Sequence, residues 1–192
     1  MNKYLLVGLG NLGSEYQHTR HNVGFDVADA FAVKHETAFV NDRLAAVARF
    51  RLKNKQVVCI KPSTYMNLSG KAVKYWLQKE EVDLAQLMVI VDEVALPLNK
   101  IRIRPGGSSA GHNGLRSIEE ALETIQYPRL RFGIGNTYPK GMQVEYVLGH
   151  WNSEELPLVK MKINKCIDVL ETFVLAGIHT AMNQYNNLEF SL

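Results

Sequence analysis

Cysteine is scarce: the chain has two, Cys59 and Cys166. Cys59 sits in the apolar run Val57-Val58-Cys59-Ile60 and reads as inert core, and Cys166 falls in a helix-like stretch. Neither stands in a polar loop, so a disulfide or a catalytic thiol has no support, and the pair fits a reducing, cytoplasmic setting. Apolar runs of membrane length are missing, and Met1-Asn2-Lys3 leads directly into a strand rather than a signal peptide. The sequence has no Gly-x-Ser-x-Gly elbow for a serine nucleophile, no His-Glu-x-x-His and no closely spaced Cys/His ligand set. Repeats, low-complexity tracts and linkers are absent too. The excess of positive charge is small, +3 with a pI near 8.8, and alone proves no nucleic-acid partner.

What remains is an ordinary globular composition, 46% hydrophobic and 21% charged, in 192 residues. That length predicts one domain, 1–192, with a sizeable core. Periodicity predicts strands at 3–8, about 45–52 and 56–61, 87–92, about 99–104 and 129–135, with a short strand near 143–148. It predicts helices at about 22–35, 69–79 and 114–125, and one long C-terminal helix at about 154–185 that packs on the rest. Interleaved strands and helices make the class α/β. Lys53-Asn54-Lys55 is too short for a parallel crossover, so 45–52 and 56–61 form an antiparallel hairpin. The expected architecture is a mixed, twisted sheet flanked by helices. Leu115, Ile118, Leu122 and Ile125 form the expected core stripe of the helix at 114–125.

The most unusual stretch follows the first strand. Gly8-Leu9-Gly10-Asn11-Leu12-Gly13 matches the dinucleotide fingerprint G-x-G-x-x-G letter for letter. A true fingerprint opens a helix whose N-terminus holds the pyrophosphate. Here Ser14-Glu15-Tyr16-Gln17-His18-Thr19-Arg20-His21 follows, with no apolar residue at helical spacing. Asp26 and Asp29, near the distance of a ribose-binding acid, fall in a helix-like segment instead. A nucleotide-dependent oxidoreductase is thus a weak alternative.

Other polar residues gather where strands end. Ser63 to Gly70 follows Ile60, Asp92-Glu93 follows Val91, and Gly106 to Gly114 follows Arg104. If several strands run parallel, Asn11, His21, Asn67, Asp92, His112 and Asn113 converge in one cleft. Each has a plain reading: Asn67 and Asn113 as helix caps, Asp92 as a turn residue, His112 as a surface histidine. Together they are chemically coherent. A histidine beside an aspartate makes a general base, and asparagine N–H groups can stabilise an oxyanion. A His21–Asp92–His112 metal site is a further possibility, but amides beside it are poor transition-metal ligands. The economical reading is a base-activated water, with no metal, cofactor or covalent intermediate.

Alternation in Arg102-Ile103-Arg104 and in Arg129-Leu130-Arg131-Phe132 puts two pairs of arginines on sheet faces near Arg116. Lys160, Lys162 and Lys165 suggest a second basic cluster. A phosphate-binding surface is expected from them.

Val7-Gly8-Leu9-Gly10-Asn11, Tyr16, Thr19 to Gly24, Lys61 to Gly70, Val91-Asp92-Glu93 with Leu96-Pro97, Gly106 to Gly114, Arg129 to Gly135 and Val147-Leu148-Gly149 resemble, in order and spacing, the bacterial peptidyl-tRNA hydrolase family. The resemblance spans nearly the whole chain. It implies a monomeric, cytoplasmic, single-domain enzyme that cuts the ester between a peptide and the 3′ ribose of tRNA, and that meets the acceptor stem and 3′ end. By that resemblance His21 is the base and Asp92 orients it. Asn11 and Asn67 hold peptide and water, and Asn113 positions the substrate. Tyr16, Met66 and His112 line the cleft, and Arg102, Arg104 and Arg131 meet tRNA phosphates. Leu12 stands where the family commonly has proline, and Asn99 where it usually has glycine; neither touches the implied chemistry. A non-catalytic, splicing-factor-like RNA-binding relative is the other alternative, against which the intact Asn11, His21, Asn67 and Asp92 argue.

Overall fold

The computed structural model describes residues 2–192. Seven strands form one sheet in the order β2-β3-β4-β1-β5-β7-β6. They are β1 (Lys3–Gly8), β2 (Val40–Asp42), β3 (Ala45–Leu52), β4 (Lys55–Pro62), β5 (Leu87–Glu93), β6 (Ile101–Arg104) and β7 (Arg129–Gly133). Their centre, β4-β1-β5-β7, is parallel, while β2, β3 and β6 pair antiparallel at the flanks. Every residue of β5 is buried, as a central parallel strand covered on both faces must be. The expected hairpin is present: all eight residues of β3 pair with β4 across a turn at Lys53, whose φ is +52°.

Two cores cover the two faces. Helices α1 (Val23–Lys34), α5 (Leu156–Ala176) and α6 (Ile178–Tyr185) bury Val23, Val27, Phe31, Val169, Leu170 and Phe173 on one face. Helices α2 (Ser69–Glu80) and α3 (Asn113–Leu122) bury Val73, Trp76, Leu115 and Ile118 on the other. The connection after β1 therefore leaves on one face and the connection after the adjacent β4 on the other. Such a divergence opens a crevice at the carboxyl ends of the strands.

Several expectations need correction. The segment 143–148 is not a strand but the short helix α4 (Gln143–Val147). It has no sheet neighbour to pair with, so its alternating pattern had nothing to act on. The C-terminal helix is not continuous: Gly177, with φ +88°, separates α5 from α6. Helix α3 stops at Leu122, where Glu123 turns left-handed, and Ile125 is exposed rather than core. Strand β2 is additional; its three residues are all exposed, so no apolar pattern marked it.

The fingerprint glycines serve packing. A Cβ at Gly8 would sit 2.2 Å from the Gly24 carbonyl oxygen, so β1 and α1 approach too closely for a side chain. Gly13 has φ +118°. Only a single 3-10 turn, Ser14–Tyr16, follows it, and α1 opens at Val23.

Candidate active site

A cleft of about 630 Å3 opens at the carboxyl edge of the parallel strands. It is lined by Asn11, Tyr16, His21, Met66, Asn67, Asp92, His112 and Asn113, among others. All the non-arginine site residues expected from sequence therefore converge.

Asp92 is its buried centre. It is the penultimate residue of β5, and its carboxylate accepts two hydrogen bonds. His21 Nδ1 lies 3.0 Å from both of its oxygens, and His112 Nε2 lies 2.8 Å from Oδ1. Burial alone would raise the Asp92 pKa. The two imidazoles that face it win, and hold it well below the usual carboxylate range. For His21, burial disfavours the charged form, but the Asp92 carboxylate and its hydrogen bond outweigh that, and the imidazole titrates above its ordinary value.

The two histidines are not equivalent. His112 is the N-cap of α3: its Nδ1 accepts from the N–H groups of Gly114, at 3.1 Å, and Leu115, at 3.4 Å. With Nδ1 accepting, the proton sits on Nε2 and is donated to Asp92, so both His112 nitrogens are occupied. His21 uses Nδ1–H on Asp92 and keeps Nε2 free at the cleft. Only His21 can receive a proton there. The plain reading of Asn113 as the cap is thus replaced by His112.

The amides are set in the same way. Asn11 Oδ1 accepts from the Met66 N–H at 2.8 Å, which fixes the flip of the amide and leaves Nδ2 as its free donor. Its backbone is held on both sides by Asn22: Asn11 N–H donates to Asn22 Oδ1, and Asn22 Nδ2 donates to the Asn11 carbonyl, both at 2.9 Å. Sequence reasoning missed Asn22, whose signal was a buried amide one residue after His21. Asn67 and Asn113 are exposed and line the cleft. Their loops interlock, because Gly114 has no Cβ and one there would come 2.6 Å from Met66 Sδ.

Strand β6 is antiparallel to β7, so its end at Arg104 lies toward the opposite edge of the sheet, level with Arg129. The loop after it must run back along the sheet before α3 starts at the cleft. Arg131 guides it: one guanidinium nitrogen pairs with Glu93 at 2.5 Å and the other donates to the Ser108 carbonyl at 2.7 Å. The four arginines do share one sheet face, Arg102 opposite Arg131 and Arg104 opposite Arg129. Only Arg102 and Arg104 are exposed. Arg129 and Arg131 are buried, so the expected stripe is half as wide as the alternation suggested, and Arg131 is not a free surface cation. Lys162 is likewise no part of a basic surface. It is fully buried and donates to the Leu98 and Gly133 carbonyls at 2.6 Å.

His21, Asp92 and His112 also form a cluster with donor atoms within 4.8 Å of one another. A metal ion there would have to displace both hydrogen bonds to Asp92. Among the described residues no helix is long and apolar enough to cross a membrane.

Residues 5–191 match the family model described as peptidyl-tRNA hydrolase. The chain belongs to the peptidyl-tRNA hydrolase family. It is 50% identical over 184 residues to a peptidyl-tRNA hydrolase of Phocaeicola vulgatus, covering 96% of this chain and 98% of that one. It is 48% identical to one from Porphyromonas gingivalis, covering 96% and 100%. Among solved structures, a peptidyl-tRNA hydrolase from Acinetobacter baumannii superposes with a TM-score of 0.92 at 34% identity, over 98% of this chain and 96% of that one. A peptidyl-tRNA hydrolase in complex with N-propanol gives 0.93 at 33% identity, over 99% and 97%. Family and fold thus agree with the resemblance read from the sequence.

Proposed function

We propose that this chain, as a single catalytic domain, hydrolyses the ester joining the peptide to the 3′ ribose of peptidyl-tRNA. The observation that carries the mechanism is His21 Nε2, which faces the cleft on a ring whose other nitrogen is held by Asp92. His21 takes a proton from a water as that water attacks the ester carbonyl. The new oxyanion meets amide donors from Asn11, Asn67 and Asn113. His21 then returns the proton to the departing ribose oxygen, and free tRNA and peptide leave. No covalent intermediate or metal is required.

Selectivity follows from the amides. A substrate with a blocked, peptide-like nitrogen can satisfy donors and acceptors that a free aminoacyl ester leaves unpaired. Tyr16 and Met66 complete the cleft wall. Exposed Arg102 and Arg104 suit the phosphates of the acceptor stem near the 3′ end, read through the backbone so that many tRNAs are accepted. A monomer in the cytoplasm is the setting this reading supports.

The pH dependence of kcat/KM tests the mechanism. The base must be unprotonated, so the rate rises with pH through the His21 pKa. With Asp92 present that acid limb lies above the ordinary histidine value of about 6.5. In Asp92→Asn the charge is lost while burial stays. The limb then drops, because burial remains without the charge that opposed it, and the rate falls by roughly 10²–10⁴-fold. An unchanged limb in Asp92→Asn, or an active His21→Ala, would remove His21 from the role of base.

A further inference from the structure

The cleft has a wall that cannot hold itself. Gln143, Val144, Val147 and Leu148 all line the cleft, and the first three belong to α4. Yet α4 is five residues long and buries none of them fully. A helix that short has no stability of its own and takes its position from whatever it is tied to. Val144 is 64% exposed, and only Tyr146 and Val147 of the helix pack against the core, each partly buried.

The ties lead to the residue before His21. Arg20 is buried but does not line the cleft. Its side chain runs beneath α4 and the residues after it. One guanidinium nitrogen donates to the Tyr146 carbonyl at 3.3 Å and the His150 carbonyl at 2.9 Å. The other donates to Glu155 at 2.9 Å, just before α5 begins. The guanidinium carbon lies 4.3 Å from the Tyr146 ring centre and 5.2 Å from that of Trp151. Backbone bonds run alongside: Arg20 N–H donates to the Gly149 carbonyl at 3.0 Å, and Thr19 bridges to His150. Gly149 leaves the passage open, since a Cβ there would come 3.1 Å from the Arg20 nitrogen. Among the described residues one other side-chain hydrogen bond of α4 reaches the sheet region: the Tyr146 hydroxyl donates to the Ile134 carbonyl at 2.6 Å.

We propose that Arg20 is a positioning residue that fixes α4 as a wall of the cleft and thereby sets the affinity for the substrate. A planar fork that serves three acceptors and stacks on two rings is a task for arginine and not for lysine. The base itself is held from elsewhere, by Asp92 on β5. Loss of Arg20 therefore moves binding and leaves the proton transfer in place. This inference rests on the reading of the cleft as the peptidyl-tRNA site.

The test uses the full chain, with N-acetyl-aminoacyl-tRNA as substrate for Arg20→Lys, Arg20→Met and Glu155→Gln. The expected result for Arg20→Met is a KM raised about tenfold with kcat within about threefold and the acid limb unmoved. Arg20→Lys and Glu155→Gln should show smaller rises of the same kind. Combining Arg20→Lys with Val144→Ala should raise KM by less than the product of the two single effects, because both act through α4. A fall in kcat at constant KM, a shifted acid limb, or multiplicative effects would overturn the proposal. If Arg20→Met does not fold, the lysine and glutamine variants carry the test. Hydrogen exchange of residues 143–149 gives a readout that needs no activity: faster exchange confined to that segment in Arg20→Lys supports the tie, and unchanged exchange refutes it. A wild type that folds but does not cleave would count against the function of the cleft, while the exchange result would still decide the role of Arg20.

Discussion

Asp26 shows how one side chain can set a pH response. It lies in the first turn of α1, with its carboxylate 2.8 Å from His18 Nδ1. Burial pushes its pKa up to about 6, against the opposing pull of His18. A raised acid means that the folded state binds more protons than the unfolded state between about pH 4 and 6, so its stability falls as pH rises through that window. Asp26→Asn should therefore gain about 1–2 kcal/mol at pH 7, with little gain at pH 4. Thermal unfolding at the two pH values checks this, and equal gains at both would contradict it. At this scale the sequence was most legible where chemistry is unusual. Asn11, His21, Asn67, Asp92, His112 and Asn113 line one cleft as expected, because the loops after parallel strands gather at one edge of the sheet, although each also had a plain reading. Arg129 and Arg131 were misread because alternation tells which face a residue shares, not what covers that face, and Lys162 because a cluster of lysines on a helix does not show which of them turns inward. The arginines are covered by α3 and the loop before it, and Lys162 turns in to Leu98 and Gly133, all at long sequence separation.

Among the elements, α2 and α3 carry the two asparagine loops and must keep one register. A Cβ at Gly70 would stand 2.1 Å from the Ser117 carbonyl oxygen, and the Gly70 N–H donates to Ser117 Oγ at 2.9 Å. An exposed helical glycine changed to alanine gains up to about 1 kcal/mol. Here overpacking dominates, and Gly70→Ala should lose about 1–3 kcal/mol and lower activity beyond what the unfolded fraction explains. A variant as stable and as active as wild type would show that the two helices can separate without consequence. Elements with long apolar stretches, such as β5 and α1, were plain in the sequence. Helix α4 and the break at Gly177 were not. Five residues are too few for either period to assert itself, and a glycine within a long apolar pattern does not announce whether its φ will be positive.

For the molecule as a whole, the fold exists to bring loops from distant parts of the chain to one edge of a sheet. The parallel centre β4-β1-β5-β7 sends the loops after β1, β4 and β5 to that edge. The return of the loop after β6 brings α3 to the same place. This convergence was foreseeable from the class of fold, whereas the antiparallel direction of β6 was not, since no short turn joins it to β7. The net charge of +3 is too small to hold a polyanion by itself, so under the proposed function recognition would rest on where Arg102 and Arg104 stand and on the cleft. The whole account meets its most direct test in one assay: cleavage of N-acetyl-aminoacyl-tRNA beside free aminoacyl-tRNA, by wild type and His21→Ala, with EDTA present. Fast cleavage of the acylated substrate alone by wild type, and none by the variant, is the predicted result. Binding of tRNA without cleavage, equal cleavage of both substrates, or an active His21→Ala would contradict it.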